Sequence, residues 1–446
     1  MLKKWLHKVL PKRSAKHAAH KQVLPLSEHH IHADTISFAA EKVISRLQQA
    51  GFQAFVVGGA VRDLLLGIEP KDFDVATDAT PEEVHKLFRR SRIIGRRFPI
   101  VHVMVGSETI EVTTFRGGNI HSHNELGRIM KDASFGTMAQ DAARRDFTCN
   151  ALYYDPTHQV VLDYHHGVAD VRAKRLVMIG KPEARYLEDP VRMLRAARLS
   201  GKLGFEVDAD TAAPIAQCAA LLQREPIARL FDEIMKIIFS GSAQACLEQI
   251  NRLGLGGKAH PLLDALLTAA DDNNNIASLA LHNTDRRLRA DQSVSVGFVL
   301  AAVFWPQLYS SWQEKQQQTK AAPALNEAIS MMRERMDKGW GIPQRFSATM
   351  REIWLLQPQF EYRRGARPFR LLTQPRFRAA FDFLVLRSQA DEIDAEIVDW
   401  WQRFQHADDT ERETMIQAAQ ATEADAPKKK RRRKPKKKPA DATSES

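Results

Sequence analysis

Phe55-Val56-Val57-Gly58-Gly59-Ala60-Val61-Arg62-Asp63, followed by Asp72-Phe73-Asp74-Val75-Ala76-Thr77, is the stretch that decides the architecture. An apolar strand runs into a glycine pair and then into a helix-like segment ending at Gly67. Such a strand, turn and helix start form an anion site: Gly58 and Gly59 let the backbone approach a phosphate, free N–H groups sit at the helix start, and Arg62 can add a charge-assisted bond. Asp72 and Asp74 stand at i and i+2, so on a strand both project from one face while Phe73 points into the core. That face suits one or two Mg²⁺ ions. Alone, the glycine pair reads as a tight turn and Asp-x-Asp as a solvated pair; together they read as a triphosphate site.

Working outward, Ile36 to Gly51 has the spacing of an amphipathic helix stopped by glycine, and Ala54–Val57 that of a short strand. Further strands are expected at Phe73–Ala76, Ile100–Val105 and Thr109–Phe115, with a helix from Pro81 to Arg89 opened by Thr80 and Pro81. Beyond about residue 180 no alternating pattern remains, and Asp210–Leu222, Pro226–Phe239 and Ala243–Leu253 have helical periodicity. The expected fold is an α/β head with a mixed sheet, followed by mainly α-helical regions. The divisions are a basic disordered arm (1–32), an α/β head (33–180), a helical neck (181–240), a helical body (241–345), a C-terminal helical region (346–420) and a basic disordered tail (421–446). The His29, His30, His32 cluster in the arm reads as a solvated segment, since nothing nearby orients the rings.

Length and composition agree with this division. A chain of 446 residues, 44% hydrophobic, suffices for about three domains. Its longest apolar run, Val296 to Trp305, is stopped by Pro306 well short of a membrane span, so no integral membrane association is expected. Met1 to Leu10 lacks the apolar core of a secretory signal, and Cys149, Cys218 and Cys246 are odd in number and widely spaced. A cytoplasmic protein with reduced core thiols follows. The net charge of +11 is concentrated at the ends: Lys428 to Lys438 holds ten basic residues in eleven, and residues 1–32 hold seven against Glu28. Basic arms around a mildly acidic body point to a polyanionic partner.

Gly58-Gly59-Ala60-Val61-Arg62-Asp63, Asp72-Phe73-Asp74-Val75-Ala76-Thr77 and Arg144-Arg145-Asp146-Phe147-Thr148-Cys149-Asn150 resemble the signature blocks of the class II nucleotidyltransferases of the DNA polymerase beta superfamily. These are the CCA-adding enzymes and the bacterial poly(A) polymerases, and the resemblance runs from about residue 50 to 240. It implies that Asp72 and Asp74 are metal ligands, that Gly59 and Arg62 lie by the triphosphate with Gly58, and that Asp146 completes the carboxylate set. From chemistry alone Glu111, on the strand Thr109–Phe115, is a rival for that third place. Arg145 reads as a phosphate or sugar contact. A fourth block, Glu188-Asp189-Pro190-Val191-Arg192-Met193-Leu194-Arg195-Ala196-Ala197-Arg198, starts a helix with Asp189 as its expected N-cap. The resemblance assigns it to base and triphosphate recognition, with Asp189, Arg192 and Arg195 along one side and Arg195 and Arg198 reaching phosphate; a salt-bridged helix face is the alternative.

Ile94-Gly95-Arg96-Arg97-Phe98 followed by His102-Val103 is similar to the segment that separates poly(A) polymerases from their CCA-adding relatives, and no His-Asp doublet marks a phosphohydrolase domain. The loop from Gly117 to Ser134 is short for that subgroup, and His121 and His123 in it read as loop histidines. The expected reaction is template-independent transfer of AMP from ATP to the 3′-hydroxyl of RNA, with two Mg²⁺ ions. Partners are RNA 3′ ends and proteins of RNA decay. CCA addition to transfer RNA is the nearer rival and a non-catalytic RNA-binding protein the more distant one. Trp400 and Trp401 read as core or packing residues, with stacking on RNA bases as the alternative.

Overall fold

Short runs of β-branched and aromatic residues build a sheet in the first half of the chain, and helical periodicity takes over after it. The computed structural model describes residues 21–95, 99–117, 135–256, 259–270, 275–337 and 339–424. The first twenty residues, Arg96-Arg97-Phe98, the loop with His121 and His123, and the run Lys428 to Lys438 lie outside the described residues. Contacts divide the chain into two units: one holds the described residues as far as Ser295 with Glu334–Pro343, the other Val296–Arg333 with the described residues from Gln344.

The first unit is built on strands β1 (Gln22–Pro25), β2 (Ala54–Val57), β3 (Asp74–Thr77), β4 (Ser91–Ile94), β5 (Ile100–Val105), β6 (Glu108–Thr114), β7 (Leu152–Asp155) and β8 (Val160–Asp163). They form one mixed sheet in the order β1-β8-β7-β2-β3-β6-β5-β4, in which β3 and β6 are the parallel pair. Helix α1 (Phe38–Gln49) is capped by Ser37, whose hydroxyl accepts the Ala40 N–H, and lays Ala40, Val43, Ile44 and Leu47 against β2, β3 and β6. Phe55, Val57, Ala76, Phe115, Tyr153 and Leu162 form the opposite layer with Met138 and Ala142. Helix α2 (Gly59–Leu65) follows the glycine turn, and α3 (Pro81–Leu87) starts in a capping box of Thr80 and Glu83. A second capping box, Thr137 with Gln140, starts α4 (Met138–Arg144).

Residues 21–32 depart from the expected arm. Gln22–Pro25 pairs antiparallel with β8 at the sheet edge, with Leu24 buried, and a single helical turn, Leu26–His29, follows. The strand is too brief to stand out among lysines and histidines, and Pro25 suits an edge. His29 is buried: its Nε2 donates to the Gln159 carbonyl at 3.0 Å and its Nδ1 accepts the Ile31 N–H at 2.9 Å. It is a structural histidine with both ring nitrogens occupied.

After the sheet come α5 (Pro182–Glu188), α6 (Val191–Leu203), α7 (Ile227–Ile238) and α8 (Ala243–Arg252), with α6 packed on both α7 and α8. Among the described residues one strand lies beyond residue 180: Glu206–Val207 pairs with Arg175–Leu176, two residues each. The α6 start also differs from expectation. Asp189 ends α5 in an extended conformation, as a residue before proline favours, and Pro190 occupies the N-cap position; the Asp189 carboxylate still accepts the Val191 N–H at 3.3 Å.

The second unit is helical, with α9 (Val296–Gln316) packed on α10 (Gln344–Leu356), then α11 (Phe377–Gln389) and α12 (Ala395–His406). Its core holds Phe360, Phe377, Phe381, Leu384, Trp401 and Phe404. The Trp401 indole donates to the Phe360 carbonyl at 2.8 Å, and Trp400 stacks on Phe404, so both tryptophans are packing residues here. Among the described residues no helix is long and apolar enough to cross a membrane.

Candidate active site

β2 delivers the chain to Gly58, whose φ of +79° and ψ of −126° belong to a region that only glycine enters without strain. The Gly58 N–H donates to Leu152 on β7, and its carbonyl accepts from Arg62, closing the first turn of α2. Val57, just before the turn, is paired with Asp74 on one side and Tyr153 on the other. Asp74 is paired in turn with Glu111, Glu111 with His102, and His102 with Arg92. Directly paired residues share a face, so Tyr153, Val57, Asp74, Glu111, His102 and Arg92 form one row beside the glycine turn.

Asp72 and Asp74 are exposed and Phe73 between them is buried, the expected alternation, although the strand proper begins only at Asp74. Although Asp74 is open to solvent on one side, the protein packed around its carboxyl strips part of its hydration, and this, with Glu111 next and Asp72 adding less, lifts its pKa to about 6 against the pull of Arg145. Glu111 also meets His102 at 3.4 Å. Two exposed carboxylates with a third in register are hard oxygen donors. Among the described residues no group of three or more His, Cys, Asp or Glu side chains is placed to hold a metal by itself. Mg²⁺ needs no such cage: it usually takes one or two carboxylates and completes its shell with water and substrate phosphates. Asp72 and Asp74 therefore fit an ion that arrives with the nucleotide.

Asp146, the residue expected to complete the set, is engaged elsewhere. Its Oδ2 accepts from Arg195 Nε at 2.8 Å and lies 2.6 Å from Arg195 Nη2, while its Oδ1 accepts from the Phe147 N–H and Asn150 Nδ2. Burial opposes ionisation, but Arg195 and these bonds outweigh it and hold the pKa down at about 2. Asn150 extends the chain of contacts, since its Oδ1 accepts from Arg62 Nη1 at 2.6 Å. Arg62 is buried and also binds Asp63, so it supports the glycine turn from beneath; a Cβ on Gly59 would stand 3.5 Å from Arg62 Nη2.

Arg145 lies against the turn itself, its Nη1 3.5 Å from where a Gly58 Cβ would be. It is aimed by Asp141, which accepts from both Arg145 Nε and Nη2 and from the Tyr153 hydroxyl at 2.7 Å. The i,i+4 spacing of Asp141 and Arg145 was the available signal for this pair. Arg185 on α5 joins the next segment to the head by donating to the carbonyls of Arg144 and Arg145, both at 2.6 Å, where α4 ends.

From Asp189 through α6 each expected recognition residue has a partner. Arg229 donates to both Asp189 oxygens at 3.1 Å, Arg192 pairs with Glu188 at 2.9 Å, Arg195 with Asp146 and Arg198 with Glu233 at 2.6 Å. Sequence reasoning missed Asp141, Asn150, Arg185, Arg229 and Glu233, whose partners are supplied mostly by other elements. The structure brings Gly58, Asp74, Glu111 and Arg145 together at one end of the sheet, and joins Arg62, Asn150, Asp146 and Arg195 in one hydrogen-bonded chain.

Three family models match: "Poly A polymerase head domain" over residues 54–177, "Probable RNA and SrmB- binding site of polymerase A" over 204–267 and "Polymerase A arginine-rich C-terminus" over 317–438. Poly(A) polymerase I of Salmonella typhi is 39% identical over 94% of this chain and 93% of its own length, and that of Escherichia coli O157:H7 is 42% identical over 86% and 85%. The CCA-adding enzyme of Bacillus pumilus is 39% identical over only 44% of this chain and 48% of its own. Among solved structures, the Bacillus stearothermophilus CCA-adding enzyme in complex with CTP shares the fold, with a TM-score of 0.57 and 24% identity over 82% of this chain and 81% of that one.

The sheet, the acid pair and the helical regions that follow define a nucleotidyltransferase of the class that includes CCA-adding enzymes and poly(A) polymerases. The likeness to poly(A) polymerase I spans nearly the whole chain. This chain belongs to the poly(A) polymerase family.

Proposed function

We propose that template-independent transfer of AMP from ATP to the 3′-hydroxyl of RNA, with release of pyrophosphate, takes place at Asp72 and Asp74. The observation that carries this reading is the row Val57–Asp74–Glu111, which sets an exposed acid pair beside the Gly58 turn. Bound there with the triphosphate, Mg²⁺ would lower the pKa of the attacking hydroxyl and neutralise charge on the leaving phosphates.

The chain's own groups do the rest. The Gly58–Gly59 peptides offer N–H groups to the phosphates, with Arg62 and Asn150 fixing the turn and Arg145, aimed by Asp141, supplying a cation alongside. Glu111, in register with Asp74, is assigned the third acidic place, because Asp146 is committed to Arg195. Asp189 and Arg192 present an acceptor and donors to the base edge, and Arg195 and Arg198 turn toward phosphate. Their partners Arg229, Glu188, Asp146 and Glu233 hold them ready.

In this reading the neck (181–240) selects the nucleotide, the body (241–345) and C-terminal region (346–420) hold RNA, and the basic tail adds nonspecific grip. The protein acts on RNA 3′ ends in the cytoplasm, together with proteins of RNA decay. Asp72→Ala tests the reading: AMP incorporation should fall to background while the melting temperature stays within a few degrees. Unchanged turnover would point instead to a relic head on an RNA-binding protein.

A further inference from the structure

On β5 the side chains alternate. Val101 and Val103 are buried on one face, whereas Ile100, His102 and Met104 lie half-buried on the other. His102 is the register partner of Glu111 on β6, which is itself the partner of Asp74 on β3. Its Nε2 stands 3.4 Å from Glu111 Oε1, and both side chains are partly open to solvent. The acid pair and the glycine turn leave this histidine without a role.

The acids along the sheet are held in different ways. Asp146 has both oxygens fixed, by Arg195, Asn150 and the Phe147 N–H. Glu111 has a longer, freely rotating side chain, and among the described residues its carboxylate meets no ion-pair partner other than His102. Asp74 beside it carries a like charge, which each feels from the other. A glutamate left free in that position swings among rotamers and away from its neighbour. Carboxylates that serve metal ions are ordinarily hydrogen-bonded in turn, and losing such a partner costs about 10–100-fold in metal affinity or activity. A separation of 3.4 Å is longer than a formed hydrogen bond, but a small turn of the ring closes it, and contacts of this kind tighten when substrate binds.

We propose that His102 is a positioning residue: its Nε2–H holds Oε1 of Glu111 and so keeps the other oxygen turned toward Asp74 and the ion site. A neutral ring suffices, since one of its nitrogens carries a proton. The inference rests on the reading of Glu111 as the third acid and adds what orients it. Register favours His102 over Arg92, which is exposed on the edge strand β4, one strand further from Glu111. The plainer alternative is a cross-strand pair that steadies the sheet; such a pair changes stability and leaves turnover alone.

The test uses the full chain and compares His102→Phe, His102→Gln, Glu111→Gln and the double variant of His102→Phe with Glu111→Gln. Steady-state kinetics give kcat and the KM for RNA, and thermal melts report folding. Electron paramagnetic resonance follows Mn²⁺ bound together with a non-hydrolysable ATP analogue. His102→Phe should lower kcat about 10–100-fold and weaken Mn²⁺ binding about tenfold, with the KM for RNA unchanged within about twofold and a parental melt. His102→Gln, whose amide donates from near the place of Nε2, should recover most of both losses. In the Glu111→Gln background His102→Phe should add less than about twofold, because no carboxylate remains to be oriented. Parental kcat and Mn²⁺ affinity in His102→Phe would overturn the proposal. An equal loss in both backgrounds, or a raised KM for RNA with parental kcat, would overturn it too and assign His102 to direct contact with substrate. Parental kcat in Glu111→Gln would sink the third-acid reading, and the proposal with it.

Discussion

Asp74 and Glu111 are register partners on β3 and β6, the parallel pair of the sheet among the described residues. Their carboxylates share a face, and their closeness is part of what raises the Asp74 pKa to about 6. Asp146, by contrast, spends its carboxylate on Arg195 and Asn150. Glu111→Gln should therefore lower kcat on the order of 10²-fold with little change in melting temperature. Asp146→Asn should act first on stability. Equal kcat in Glu111→Gln and the parent would return the third acidic place to Asp146.

The Asp146–Arg195 pair also makes an acid-stability prediction. The folded-state pKa of Asp146, about 2, lies below its ordinary value of 3.8. A depressed carboxyl stabilises the fold above the ordinary value and loses that contribution as pH falls through the folded one; the shift corresponds to about 2 kcal/mol. In denaturant titrations the gap between the parent and Asp146→Asn should be constant above about pH 5 and close progressively between about pH 4 and pH 2. A gap independent of pH over that range would show that the pair is not the source.

Gly58 holds a conformation closed to other residues and lies against Arg145. Gly58→Ala is expected to cost about 1–3 kcal/mol of stability and to raise the KM for ATP more than that for RNA. A variant with parental stability and ATP affinity would remove the turn from the site.

The sequence carries a lysine-arginine run at Lys428 to Lys438. Deleting residues 427–446 should weaken RNA binding and flatten its salt dependence while leaving addition of a single nucleotide largely intact. Anisotropy titrations from low to high salt check this; identical slopes would leave the run a solubility device.

Much of the head was legible because its signals are local. Ala54–Val57 and Ile100–Val105 are strands over the residues expected, Gly58 supplies the turn, and Thr80-Pro81 opens a helix. Relations made by tertiary pairing were not legible. Nothing in the sequence says that β3 and β6 run parallel, which is what puts Glu111 opposite Asp74. Nor does it say that Arg195 on α6 reaches back to Asp146. Gln22–Pro25 escaped notice because four residues at a sheet edge carry too little alternation to show inside a basic segment. The Asp189 cap was misplaced by one residue because Asp189, held extended ahead of proline, closes the preceding helix and Pro190 takes the N-cap position of the next.

The most direct measurement offers two purified RNAs, an unstructured oligonucleotide and a transfer RNA lacking its CCA end, to the protein in Mg²⁺ with ATP and CTP separately and together. Long ATP-dependent tails on the plain oligonucleotide, with no requirement for CTP, are expected. Addition that needs both nucleotides and stops after CCA on the transfer RNA would contradict the assignment.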